Sequence, residues 1–194
     1  MRIDINGSVQ IVPETTLIFR ARNEPTTASL TTDALSIEYL RHHERHVLEA
    51  DMKLLSEALE QSCGTVAPTR LGLRYVNLID RLQVGETLGR QVGWEDLVAP
   101  QFWAVPGAMS NLQDSTFFAE TTSSLPRGQM TLRYGVVPEP SRQRLCFRLD
   151  IDRYLDGGVF EMNEVETLLH SFSNDCFQVF MAAAGPSLLE WMNQ

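Results

Sequence analysis

The spacing of apolar residues predicts an α+β fold: a twisted, mainly antiparallel sheet of about six strands with two principal amphipathic helices, spanning residues 1–194 as one domain. Three observations carry that prediction. Residues 70–79 alternate Leu71, Leu73, Tyr75 and Ile79 against Arg70, Gly72 and Arg74, the period of a half-buried strand. Two stretches switch to helical spacing, first at Leu48, Met52, Leu55 and Leu59, then at Val165, Leu168, Leu169, Phe172, Cys176 and Phe180. Three strand-like runs, 112–121, 129–137 and 144–153, are separated by Pro126-Arg127-Gly128 and Pro138-Glu139-Pro140-Ser141, as in a meander.

Taken in order, the chain opens with an interrupted strand over 8–22, where Pro13-Glu14 breaks the series Val9, Ile11, Leu17 and Phe19. A turn at Asn23-Glu24-Pro25 leads to a second strand over 28–40, in which Leu35, Ile37 and Tyr39 alternate with Ser36 and Glu38, and the two pair as a hairpin. A helix over 43–61 follows, with Glu49 and Lys53 as an i,i+4 pair facing water, and Cys63-Gly64 ends it. After strand 70–79 comes a long connection holding one short amphipathic turn, 94–98, stopped by Pro100, and an aromatic loop with Trp94, Phe102, Trp103 and Pro106. The last helix begins at Asn163, with Glu166 three residues on as in a capping box, and Gly185-Pro186 stops it. The triplet Leu73-Arg74-Tyr75 recurs as Leu132-Arg133-Tyr134, so a diverged internal duplication of a strand-strand-helix unit is a further option.

Hydrophobic residues at 43% and charged ones at 21% are ordinary globular values, and a chain of 194 residues can bury a full core. No apolar run reaches the ~20 residues of a membrane span, and Met1-Arg2-Ile3-Asp4 lacks the apolar stretch of a signal peptide, so a cytoplasmic location without membrane contact is expected. A net charge of −9 argues against general nucleic-acid binding, which rests on Lys and Arg displacing counterions. Cys63, Cys146 and Cys176 show no metal or disulfide spacing and read as reduced thiols, two of them inside apolar periodic segments. Nucleophile-elbow, Walker and dinucleotide-binding glycine motifs are all missing from the sequence, and no cofactor is expected.

The run Arg70-Leu71-Gly72-Leu73-Arg74-Tyr75-Val76-Asn77, with Trp94-Glu95-Asp96-Leu97-Val98-Ala99-Pro100, Leu149-Asp150-Ile151-Asp152 and Leu169-His170-Ser171-Phe172, resembles a sporadically distributed prokaryotic conserved-hypothetical family over about residues 28–185. The strand motif is its most specific part. The resemblance implies no activity, cofactor or catalytic residue. Members of that family begin with an additional strand and helix, which this chain lacks or carries in shortened form, and a homodimer is one way to cover a sheet edge left open.

Candidate chemistry concentrates on one sheet face. Asp150 and Asp152, two apart on a strand, project together, as a divalent-metal or acid/base pair requires. Arg74, Arg133 and Arg148 are expected on the same face with Asn77 and Thr131, so the competing and favoured reading is that the carboxylates neutralise arginines across strands. His42 and His46 share a helix face at a spacing that suits zinc, but Glu44 is displaced from the position of a zincin base and no third ligand follows, which favours a solvated helix start. His170 reads as a surface residue. The resulting expectation is a non-catalytic domain that binds a protein partner or a small anionic ligand through Arg74, Asn77, Arg133 and Arg148 or through Trp94 and Trp103 of the 94–106 loop. The alternative is an enzyme built on Asp150 and Asp152.

Overall fold

Alternation and helical spacing sort the residues into the expected kinds of element, and the turn chemistry between them decides how many there are. The computed structural model describes residues 2–3, 9–10, 15–22, 25–41, 44–64, 67–107, 116–139, 141, 143–158 and 160–194, with 2–3, 9–10 and 104–107 given by their backbone alone. The chain divides into two compact units, Met1–Ala58 and Leu59–Gln194.

In the first unit, β1 (Arg2–Ile3) and β2 (Val9–Gln10) form a short antiparallel ladder. A separate antiparallel sheet holds β3 (Leu17–Arg20), β4 (Thr26–Leu30) and β5 (Leu35–Tyr39) in that order. Register sets Leu17 beside Leu30 and Leu35, and Phe19 beside Ala28 and Ile37, so one face is apolar. Ile18, Arg20, Thr27, Ser29, Ser36 and Glu38 occupy the reverse. The single strand expected over 28–40 is two strands, because a turn intervenes: the Thr31 N–H donates to the Ala34 carbonyl (2.8 Å) and its Oγ1 to Asp33 Oδ1 (2.9 Å). Helix α1 (Arg45–Cys63) follows. Tyr39 donates to Asp51 Oδ2 at 2.6 Å, tying β5 to it, and Glu49 ion-pairs with Arg45 at 3.8 Å.

The second unit is organised by a four-stranded antiparallel sheet of β6 (Arg70–Ile79), β7 (Ala119–Leu125), β8 (Gly128–Glu139) and β9 (Arg144–Asp156), in the order β6-β9-β8-β7. The last three strands are the expected meander. Gly128 closes its first hairpin at φ 93°, where a Cβ would collide with the Tyr154 carbonyl. The inner face, including Leu73, Ile79, Val136, Phe147, Leu149 and Ile151, is buried, and α5 (Val165–Ala183) packs against β6 and β9 with Leu168, Leu169, Phe172 and Cys176 turned inward.

Four shorter helices complete the core: α2 (Arg81–Leu88), α3 (Trp94–Leu97), α4 (Pro100–Gly107) and α6 (Pro186–Met192). Asp80 starts α2 by accepting from the N–H groups of Leu82 and Gln83, and Gly89 ends it at φ 66°. Gly185-Pro186 stops α5 as expected and also starts α6, since proline fits the first helical turn. Reciprocal backbone bonds from Ala99 to Ala183 and from Gly185 to Leu97, each 2.8 Å, hold α3 against α6.

The fold is therefore α+β, but with separate three- and four-stranded sheets and six helices among the described residues in place of one six-stranded sheet and two principal helices. The triplets Leu73-Arg74-Tyr75 and Leu132-Arg133-Tyr134 lie in the same sheet, on the two strands that flank β9. Among the described residues no helix is long and apolar enough to cross a membrane.

Candidate functional site

Strand parity builds the outer face of the four-stranded sheet. Opposed residues of antiparallel strands share a face, so Arg74, Asp152, Thr131 and Thr122 form one row, and Val76, Asp150, Arg133 and Glu120 the next. Leu78, Arg148 and Gly135 follow. The face brings Arg70, Arg74, Arg133, Arg144 and Arg148 together with Glu120, Glu139, Asp150, Asp152 and Asp156. It is rich in arginine yet formally neutral.

Asp150 is the hub. Its carboxylate is fully buried at 0% exposure, and both oxygens are held: Arg74 donates through Nε (2.7 Å) and Nη2 (2.6 Å) as a fork, and Arg148 through Nη2 (3.0 Å). Burial pushes the Asp150 carboxyl up, but the hydrogen bond and charge of Arg74, with those of Arg148, outweigh it and leave the group below the usual aspartate value. The same contact with Asp150 raises Arg74 against the cost of its own burial. Both arginines remain accessible, with side chains 50% and 37% exposed. Arg133 donates to Glu120 at 2.6 Å and lies 3.9 Å from Asp152. Thr122 and Thr131 share a hydrogen bond of 2.9 Å, and Tyr154 donates to Gln129 at 2.8 Å beneath the Arg70 guanidinium. The cross-strand network expected from sequence is what these contacts form.

Asp150 and Asp152 do share a face, as their spacing requires, but three guanidinium N–H groups of Arg74 and Arg148 already engage both oxygens of Asp150. Among the described residues no cluster of three or more His, Cys, Asp or Glu groups could hold a metal ion. His42 lies outside the described residues; His46 is exposed and meets Glu44 at 3.1 Å.

Three of the expected binding residues stand elsewhere. Asn77 is on the inner face, because it has the parity of Tyr75 and Ile79, and its side chain donates to the Leu149 carbonyl at 3.3 Å. Trp94 and Trp103 are 1% and 8% exposed, with ring centroids 6.5 Å apart in the core. The 94–106 stretch is not an aromatic binding loop: it folds into α3 and α4, which bury both rings.

Sequence reasoning missed three features of this sheet. Glu120 is the close partner of Arg133. Val76 and Leu78 are exposed on the outer face beside Arg74 and Arg148. Arg153 has the parity of Leu149 and Ile151, so it points inward, where it is nearly fully buried. There it donates to Asp175 (2.9 Å) and to the carbonyls of Gln129 (3.3 Å) and Tyr154 (3.1 Å), and its guanidinium stacks 4.4 Å from the Phe172 ring. Next to it, burial pushes the Cys176 thiol up to about 12, which leaves it protonated and unreactive. In each case the signal was strand parity, which a single sequence supplies once register is known.

Comparison with models of protein families, with curated proteins and with solved structures found no match for this chain.

Proposed function

We propose that this protein is a non-catalytic interaction domain of the cytoplasm, and that it engages a protein partner through the outer face of β6 and β9. One observation carries the reading: Val76 and Leu78 are 47% and 37% exposed on the same face as the accessible guanidinium groups of Arg74 and Arg148. The exposed aliphatic side chains give apolar area to bury, and the arginines beside them are of the kind enriched at interfaces and at their hot spots. The buried Asp150 orients both arginines before any partner arrives, which lowers the ordering cost of association. A formally neutral face favours a protein surface over a free anion, because each arginine already has a carboxylate nearby. Three free thiols, Cys63, Cys146 and Cys176, suit a reducing compartment. Kinship with the family that shares the Arg70 to Asn77 strand motif belongs to the same proposal.

The test is affinity capture with the full chain and with Val76→Glu/Leu78→Glu, followed by calorimetry on any protein retained. A partner held by the native chain and lost by the double variant, but kept by a Phe177→Glu control on α5, supports the reading. Equal binding by the double variant overturns it. Inorganic phosphate that saturates the native chain and fails to bind Arg74→Gln/Arg148→Gln would replace the protein partner by a small anion.

A further inference from the structure

The edge of the three-stranded sheet presents three successive large apolar residues to solvent: Leu17, Ile18 and Phe19 are 50, 52 and 58% exposed. β3 is an edge strand, and among the described residues no other strand pairs with its outer side. Natural sheets ordinarily blunt such an edge with charge, proline or a bulge. Within β3 only Arg20, at its end, is charged.

We propose that a second copy of this chain pairs with β3, antiparallel about a twofold axis at Ile18, joining two three-stranded sheets into one of six strands. The register follows from parity. Opposed residues must share a face, so Leu17 and Phe19 can meet only residues of their own parity: Thr15, Leu17, Phe19 or Ala21. Centred on Ile18, the pairing sets Ile18 against Ile18, Leu17 against Phe19, and Arg20 against Thr16 of the second copy. Centred on Leu17 it would leave Ile18 against Thr16 and Phe19 against Thr15; centred on Phe19 it would set Ile18 against Arg20. Only the first register gives every one of these apolar side chains an apolar partner. It also places each guanidinium against a hydroxyl, so no like charges meet.

On the apolar face, Leu17 and Phe19 continue the rows of Leu30 and Leu35 and of Ala28 and Ile37, so a second copy extends a surface already partly packed. Half-exposed Leu17 and Phe19 on one face and Ile18 on the other leave roughly 300 Å² of apolar side-chain surface per copy, divided between the two faces of the sheet. That is less than the ~800 Å² per partner of a standard interface, so the dimer is weak and concentration-dependent. The inference uses none of the residues of the arginine face and stands or falls apart from it.

Sedimentation velocity of the full chain over a wide concentration range tests it, with Ile18→Lys, Ile18→Glu and their equimolar mixture alongside. The native chain is expected to shift from monomer to dimer as concentration rises. Either charged variant alone should weaken association about tenfold or more, since two like charges then face each other at the twofold. Mixing the two variants should restore a dimer, because Lys then faces Glu. A native chain that stays monomeric throughout, a dimer indifferent to Ile18→Lys, or a mixture that fails to recover each overturns the proposal. Far-UV circular dichroism confirms that the variants fold; should either fail to, Phe19→Ser must weaken association in its place, and an unchanged dimer overturns the proposal equally.

Discussion

In the four-stranded sheet, β9 is buried at Phe147, Leu149, Ile151 and Arg153 on its inner face, and even on its outer face Asp150 is fully buried beneath arginines. In the three-stranded sheet no residue of β3 is buried, although its sequence is the more apolar of the two. Position in the sheet, more than side-chain hydrophobicity, decides exposure in these two strands. A central strand has neighbours on both sides and helices on its inner face. An edge strand in a small sheet has one neighbour, and its apolar residues stay half wet unless another chain supplies the second.

Truncating one phenylalanine in each sheet gives the largest expected contrast. Phe147→Ala should cost about 3–5 kcal/mol in denaturant unfolding, because it opens a cavity in a closed core. Phe19→Ala should cost less than about 1 kcal/mol, as a substitution at a half-exposed position. Equal losses would mean that β3 is as tightly packed as β9.

Next in size is the hub of the outer face. Asp150→Asn keeps the shape but leaves two guanidinium groups without their shared charge, and a loss of about 2–3 kcal/mol is expected, moderated by the solvent that reaches both arginines. A loss below about 0.5 kcal/mol would show that the outer face is a solvated surface and that exposure alone distinguishes the two sheets.

Acid titration sharpens the same point. The folded Asp150 carboxyl lies below the ordinary 3.8 of an aspartate, so as pH falls the unfolded chain takes up this proton first. Its stabilising contribution is therefore complete above the unfolded value and is lost as pH drops through the folded one. Melting temperatures of the native chain should fall over that acid window more steeply than those of Asp150→Asn; parallel curves would remove Asp150 from the account. The smallest effect belongs to the rim, where Glu120→Gln should change stability by less than about 1 kcal/mol, because its pair with Arg133 is half in water.

Much of the site was legible from residue spacing. Alternation located β6 and placed Arg74 outward, and the two-residue step from Asp150 to Asp152 put both carboxylates on one face with Arg148. The same rule, carried three residues beyond Arg74 along β6, assigns Asn77 to the inner face, against its grouping with the arginines. Trp94 and Trp103 could not be placed by alternation, because a Pro- and aromatic-rich stretch reads alike as exposed loop or as short buried helices. The turn at Thr31 was visible in its Thr-Thr-Asp sequence, but apolar residues on both sides of it obscured the break.

Residue order was enough for the α+β class, the two long helices, the meander and the neutralised character of the outer face, because each depends on a local period or on charges a fixed number of residues apart. That the longer strands divide between a three- and a four-stranded sheet, that β9 is central and β3 at an edge, and that Asp150 is buried between Arg74 and Arg148 came from the folded chain. Those outcomes depend on which strands pair across long stretches of chain, and pairing fixes what covers a residue, a quantity that no local period contains.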